Sequence, residues 1–488
     1  MFKKAILKGS IFVIILLIIN LSLNSIFIIK TNHREKLIEG LYDTSQQPLD
    51  VLLLGSSHMN SGISPNILWN QYGITSFNYA TGGQPIDVTY YVLKEALKVH
   101  KNPIVVVDLY YLGLTEEYGA EGYVRSALDN LNFSKNKVDA IINCTPRKDW
   151  INYLFPIFKY HDRWKELTKN DFEFDPANAY YEKGFAAESD SIGKDNTSDP
   201  STTGMIDLPP KSEEYLNKII NLSKEEGFKL VFTTTPYDYN GTAESTNWTK
   251  ESAKMFNKIA EISKKNNIPF INYNKITKEM GFDFKTDMFN EGHLNLTGAK
   301  KVTLKLGEFL KENYALADHR KDVKYEKWEE DYIRYLYVKA NTALTEETDI
   351  KNYISLIKNK NYIIVASSND TGISKNVALK EALTQLGLKV NQMNKDGSNY
   401  LAVINENKIQ SEILSSSKLS KELVLDKDIN LKVTTKSDDK NMPSLLLNKV
   451  EYLNKHNGVN IVVFDKLSNE VLDNIYLDSK NKIKREVK

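Results

Sequence analysis

The hydrophobic pattern divides the chain into stretches with different periods. Residues Ile11 to Ile29 carry no charge and are mostly Ile, Leu, Phe and Val. About 20 apolar residues in a helix cover the ~30 Å hydrocarbon layer of a bilayer. The run therefore predicts a single transmembrane anchor over 10–30, preceded by a short cytoplasmic tail, 1–9. A signal peptide is the alternative, but no small-x-small cleavage site follows, and the run ends Phe27-Ile28-Ile29-Lys30. Lys3, Lys4 and Lys8 before the span are matched by Lys30, Arg34 and Lys36 after it, so charge does not fix the orientation. A short tail before a large body favours the tail inside, which leaves the bulk of the chain extracytoplasmic at the cell membrane.

Beyond a polar connector, Thr31 to Pro48, short apolar runs alternate with helical segments. Asp50–Gly55, Ile74–Ala80, Pro103–Asp108, Lys229–Thr235 and Asn267–Asn272 predict strands. Asp87–Lys101 and Gly298–Tyr314 predict helices. This alternation predicts an α/β domain over 49–314 whose parallel sheet is covered on both faces. An insertion, 113–210, separates the third and fourth strands. Its Trp150–Leu167 stretch reads as helical and aromatic. Residues 185 to 208, rich in Ser, Asp, Thr and Gly, read as a mobile loop. Such an insertion either shapes a site or elaborates packing. Polar, helical residues 315–350 predict a linker. Strands at Tyr362–Ala366, Tyr400–Ile404 and Val459–Phe464, with a helix at Ser374–Leu386, predict a smaller C-terminal α+β domain over 351–488 that repeats the strand–helix alternation.

Composition narrows the function classes. A length of 488 residues suggests two or three domains. Lys+Arg total 64 and Asp+Glu 63, a balance that argues against a dedicated nucleic-acid binder. Cys144 is the sole cysteine, so neither an intrachain disulfide nor a Cys-based zinc site is available. No Asp/Glu/His spacing marks a metal site, and no cofactor is called for. The 27 tyrosines accompany heavy use of Lys, Asn and Ile, a codon bias, and say little about sugar stacking.

The chemistry concentrates at Gly55-Ser56-Ser57-His58. A Ser directly after a buried strand and a Gly sits at the C-terminal edge of the sheet, where open α/β sheets bind ligands. Its hydroxyl needs a base to become a nucleophile. Of the seven His residues, His293 lies in a loop before the last helix of the same domain. The alternatives are an ordinary helix-capping role for Ser57 and a structural loop role for His293. His58 adjoins Ser57 and reads as a packing residue. His161 sits in the insertion, in reach of the site or purely structural. His33, His100, His319 and His456 read as surface residues.

Three blocks in order resemble the SGNH (GDSL-like) hydrolase family, in particular its DltD- and AlgJ-like cell-surface polysaccharide branch. These are Gly55-x-Ser57 after the first strand, Asn78-Tyr-Ala-Thr-Gly82-Gly83 after the second, and Asn290-Glu291-Gly292-His293-Leu-Asn-x-x-Gly-Ala before the last helix. The resemblance covers 49–314. It implies a flavodoxin-like three-layer sandwich, Ser57 as nucleophile, His293 as base, and Gly82 or Gly83 as a backbone donor to the oxyanion. Two positions depart from the family. The acid three residues before His is Asn290, for which Glu291 or Asp287 would substitute as the charge. The third block's Asn is replaced by the Asp108-Leu-Tyr110-Tyr111 strand end, where Tyr110 or Tyr111 would donate instead, because an ionised Asp does not.

The C-terminal part resembles the interleukin-like EMT inducer (ILEI/PANDER-like) domain. The residues that carry this are Val365-Ala-Ser-Ser-Asn-Asp370, Leu386-Gly387 and His456-Asn-Gly-Val-Asn-Ile-Val-Val-Phe-Asp465, with Val471-Leu-Asp after them. The resemblance implies a compact lectin-like module suspected of glycan binding. Together the two resemblances imply a membrane-anchored serine esterase or O-acyltransferase acting on acyl esters of cell-surface glycan or teichoic acid, with a membrane-bound O-acyltransferase as acyl donor. The alternative is a catalytically degenerate, glycan-binding surface adaptor.

Overall fold

The computed structural model describes residues 2–29, 37, 39–42, 48–172, 181–242, 247–368, 377–390, 399–426, 429–435, 443–453, 459–477 and 482–485. Most of the Thr31–Pro48 connector, His33, Asp370, the start of the Ser374–Leu386 helix and His456 to Gly458 lie outside them. The chain forms two compact units, Met1–Tyr335 and Leu336–Lys488.

The first unit begins with α1 (Phe2–Phe27). Its window Ile6–Asn24 is long and apolar enough to cross a membrane. Two of its polar side chains bond within the helix: Ser22 Oγ donates to the Ile18 carbonyl (2.9 Å) and Asn24 Nδ2 to Asn20 Oδ1 (3.4 Å). Bonds of this kind let hydroxyl and amide groups sit in an apolar helix.

The body of this unit is a five-stranded parallel sheet. Its strands are β1 (Val51–Leu54), β2 (Ser76–Asn78), β3 (Ile104–Asp108), β4 (Lys229–Thr234) and β5 (Phe270–Asn272), in the order β2-β1-β3-β4-β5. Every residue of β1 and β3 is buried, as uninterrupted apolar runs require when both faces are covered. The helices are α2 (Ser57–Gly62), α3 (Pro65–Tyr72), α4 (Ile86–Val99), α5 (Lys135–Cys144), α6 (Pro210–Glu226), α7 (Ser252–Lys265) and α8 (Leu296–Asn313). Right-handed crossovers put α2 and α3 on one face of this order and α4 to α7 on the other. The packing agrees, since α8 lies against α2 and α3 while α4 lies against α5 and α6. The winding reverses between β1 and β3, so the crevice beyond their C-terminal ends is where an open sheet takes its ligand.

Helix α9 (Glu326–Glu346) crosses the boundary between the units. Its first half belongs to the first unit's core: Trp328 is buried, and Glu329 accepts from Trp69 Nε1 (2.9 Å). Lys183 is fully buried against Asp331 and over the Trp328 ring. The stretch expected as a polar linker over 315–350 thus contributes packing residues.

The second unit corrects the expected strand–helix alternation. Beside α10 (Ile350–Leu356) and α11 (Val377–Thr384), it contains β6 (Tyr362–Ser368), β7 (Asn399–Asn405), β8 (Lys408–Ser415), β9 (Ser420–Asp426), β10 (Ile429–Thr434), β11 (Ser444–Leu447), β12 (Val450–Glu451), β13 (Val459–Asp465), β14 (Glu470–Leu477) and β15 (Ile483–Arg485). All pairings are antiparallel, in a six-stranded sheet β15-β14-β13-β6-β7-β8 and a four-stranded sheet β12-β11-β10-β9. Alternate residues explain the misreading. Ile364, Ala366, Ile461 and Val463 pack with the helices, while Ile363, Val365, Val462 and Phe464 pack with Leu431, Val433 and Leu445 of the other sheet. A central antiparallel strand covered on both faces reads like a parallel one.

Candidate active site

The position of Ser57 follows from the exit of β1. Gly55 has φ +142°, and a Cβ there would stand 2.9 Å from Asp108 Cβ at the end of β3. Only glycine accepts both the conformation and the approach. Ser56 caps α2, its hydroxyl accepting from the His58 N–H (3.4 Å). Ser57 is therefore released from capping. Two buried amides fix the helix behind it. Asn78 Nδ2 donates to the Met59 (2.8 Å) and Ile63 (3.1 Å) carbonyls, and Asn60 Nδ2 to Gly184 (3.1 Å) and Ala80 (3.4 Å). Removing such a donor strands buried carbonyls at about 1–3 kcal/mol.

His293 arrives on a loop closed by an antiparallel bridge between Met288 and Leu294. Asn295 then caps α8 by accepting from the Thr297 and Gly298 N–H groups (3.0 and 3.1 Å). His293 Nε2 lies 2.8 Å from Ser57 Oγ. Its Nδ1 lies 3.0 Å from Asn290 Oδ1, which also accepts the backbone N–H groups of Gly292 and His293, both at 2.9 Å. Those two backbone donors require oxygen, not NH₂, at that position, which fixes the amide's orientation. A carbonyl oxygen opposite Nδ1 in turn requires the proton on Nδ1, leaving the Nε2 lone pair aimed at the Ser57 hydroxyl. This is the tautomer a general base needs.

The other candidates distribute differently. Glu291 is part-exposed and pairs with Lys194 (3.2 Å); the bond from its own backbone N–H, then Lys194, holds its carboxyl below the usual range. Asp287 is fully buried, bonded to Lys301 (2.6 Å) and to the Asp283 N–H (2.8 Å). Both expected substitutes for the acid are thus engaged elsewhere. Gly82 and Gly83 form a turn after β2, at the same sheet edge as Ser57. Gly83 has φ +62° and is covered by the Tyr123 ring, while a Cβ on Gly82 would meet open space.

Tyr110 stacks face to face on His58 (centroids 3.5 Å apart) and on Trp248 (4.4 Å), with Tyr237 edge-on to it (4.9 Å). Tyr111 meets Trp248 edge-on. His58 contacts the Thr235 hydroxyl at 3.3 Å and the His293 ring at 5.0 Å. Burial, then the proximity of His293, pushes its pKa well below the ordinary histidine value, so it remains a neutral packing group. Asp108 is buried beneath Gly55. Burial raises its pKa to about 7, against the lowering effect of the Tyr110 and Thr235 N–H groups. Its Oδ2 is sealed from solvent.

The wider frame includes residues that sequence patterning did not single out. Residues 185–208 carry no helix, yet they are tied down rather than free. Ala186 N–H donates to Asn60 O (3.0 Å), Leu296 N–H to Glu188 O (2.9 Å) and Ile192 N–H to Met288 O (2.8 Å), and Thr197 bonds Asp238. This segment clips α2 to the loop that carries His293. A cavity of about 170 Å³ is lined by Asn290 and Glu291 together with Ile192, Thr197, Phe284 and Met288. His161 is exposed on the insertion. His100, expected at the surface, is instead 3 % exposed and bonded to the Tyr79 hydroxyl (3.3 Å); burial lowers its pKa to about 4. His319 pairs with Asp50 (3.2 Å). No protein-family model matches the chain, and no curated protein does.

Proposed function

We propose that the chain is a membrane-anchored serine esterase or O-acyltransferase of SGNH type, acting outside the cytoplasm on acyl esters of cell-surface polysaccharide or teichoic acid. The observation that carries this reading is the 2.8 Å contact of Ser57 Oγ with a His293 whose other nitrogen is held as a donor. The strand order β2-β1-β3-β4-β5 and a site at its reversal point support the flavodoxin-like SGNH sandwich.

Ser57 Oγ attacks the acyl carbonyl as its proton passes to His293 Nε2. The developing oxyanion meets N–H groups at the start of α2 and in the Gly82-Gly83 turn. Collapse of the tetrahedral intermediate expels the alcohol, which takes the proton from Nε2 and leaves an ester on Ser57. Water (hydrolysis) or a sugar hydroxyl (transfer) then attacks that ester with His293 again as base, and Ser57 Oγ recovers the proton. Asn290 holds the ring in register but lacks the charge that a carboxylate offers an imidazolium, so the chemistry is that of an oriented Ser–His dyad. A membrane O-acyltransferase would supply the acyl group, and the second unit, as an ILEI/PANDER-like module, would hold the glycan.

Incubation with a fluorophosphonate tests the reading: Ser57 is expected to be labelled, and p-nitrophenyl acetate turnover by the full chain to vanish in Ser57→Ala. Asn290 in the acid position favours one other reading, a non-catalytic glycan-binding adaptor. Absence of labelling together with measurable polysaccharide binding would replace the first reading with this one.

A further inference from the structure

The insertion contains an apolar surface that the proposed chemistry does not use. Its segment 150–172 folds as short helical turns, Trp150–Leu154, Ile157–Tyr160, His161–Lys165 and Lys169–Phe172. Tyr153, Tyr160 and Asp171 face inward. Ile151, Phe158, Trp164 and Phe172 are instead about 60 % exposed (62, 59, 63 and 62 %). Four large apolar side chains this exposed between Ile151 and Phe172 call for something that covers them.

What covers them is indicated by where the segment sits. The turns Ile157–Tyr160, His161–Lys165 and Lys169–Phe172 pack against α1. Arg163 Nη1 donates to the Phe27 carbonyl at the helix's last turn (2.6 Å), while Nη2 holds Asp171 (2.6 Å). Phe27 lies three residues past the apolar window that ends at Asn24, about 4.5 Å along a helix axis. The segment is therefore fastened at the level where the hydrocarbon layer gives way to headgroups, the level that Trp and Tyr favour. Between residues 147 and 172 the sequence has six basic and four acidic side chains, Lys148, Lys165 and Lys169 among the exposed ones. Aromatic anchors beside lysines are the composition of segments that lie in a bilayer interface.

We infer that segment 150–172 lies in the interfacial layer of the same bilayer that α1 spans, with Ile151, Phe158, Trp164 and Phe172 immersed among the lipid headgroups and upper acyl chains. The first unit is then held by two membrane contacts. The inference rests on the reading of α1 as a membrane span, not on the esterase chemistry.

The test reconstitutes the full chain in phosphatidylcholine–phosphatidylglycerol vesicles whose lipids carry bromine either near the headgroup end of the acyl chain or near the bilayer centre. Trp164 emission is taken as the difference between the wild type and Trp164→Phe. Stronger quenching by the shallow bromines than by the deep ones is expected. A triple variant, Ile151→Ser, Phe158→Ser, Phe172→Ser, is expected to lose most of that quenching while its thermal unfolding midpoint is unchanged. Trp164 emission indifferent to both lipids, or quenching untouched in the folded triple variant, overturns the inference. An alkaline carbonate wash separates its failure from that of the anchor. Chain retained by the vesicles but unquenched keeps the span and discards the surface contact, whereas chain washed away discards both.

Discussion

The two units solve the same problem of burying a sheet on both faces, and among the described residues they place their polar groups differently. In the parallel sheet every strand ends on the same side, so residues far apart in the chain collect there: Ser57 after β1, Gly82 after β2, Tyr110 after β3, Thr235 after β4 and His293 beyond β5. In the antiparallel unit successive strands end on opposite sides. Its buried polar groups pair across neighbouring strands instead. Arg485 of β15 grips Asp473 of β14 (2.9 and 3.0 Å) and the Leu344 and Glu347 carbonyls (both 3.0 Å), and Tyr400 of β7 donates to Glu412 of β8 (2.8 Å). Strand direction thus decides whether buried polarity becomes a crevice or a cross-link.

The contrast is most exposed at Ser57. Ser57→Ala is expected to lower kcat for an activated ester by about 10⁴-fold or more without shifting the thermal midpoint; retained turnover would remove the parallel edge from the chemistry. Asn290→Asp sharpens the same point. The carboxylate can accept the same two backbone N–H groups and adds the missing charge, so kcat/KM should rise by on the order of tenfold or more. A negative neighbour also keeps an imidazole protonated to higher pH, so the acid limb of the pH–rate profile should move upward. An unchanged profile would mean that the ring does not act as the base.

For the antiparallel unit, Arg485→Ala leaves Asp473 buried without its cation and should cost about 3 kcal/mol. Urea unfolding monitors that loss, and ester turnover should be unaffected; a parallel fall in turnover would break the division of labour. The smallest effect concerns Asp108. Its folded-state pKa of about 7 lies above the ordinary carboxylate value. As pH rises from about 4 to about 7, the unfolded chain releases a proton that the folded chain keeps, so stability falls across that window. Asp108→Asn leaves a buried amide donor unpaired at every pH, so it should be on the order of 1–2 kcal/mol less stable than the wild type near pH 4 and, once the linkage outweighs that cost, on the order of 2 kcal/mol more stable near pH 8.

Much of the first unit was legible because buried parallel strands write themselves as unbroken apolar runs, as Val51–Leu54 and Ile104–Asp108 do. Ser57 and His293 could be named from their places after a strand and before a helix. What patterning did not disclose were partners fixed by three-dimensional approach. Asn78 and Asn60 look like ordinary polar residues, and their signal is only that an amide interrupts an apolar stretch. Glu291 was a sequence neighbour of His293 that folding turned toward Lys194. In the second unit β8, β9 and β14 escaped notice because their exposed or half-buried alternation is weak beside β6 and β13.

The separation of Ser57 and His293 by 236 positions also has a temporal meaning. A ribosome adding roughly 5–20 residues per second delivers the hydroxyl tens of seconds before the imidazole. Through that interval the nascent chain holds Ser57 without its His293 partner, and the loop that leads into α8 completes the pair. On the esterase reading proposed above, a product truncated or stalled before His293 would be inert toward esters.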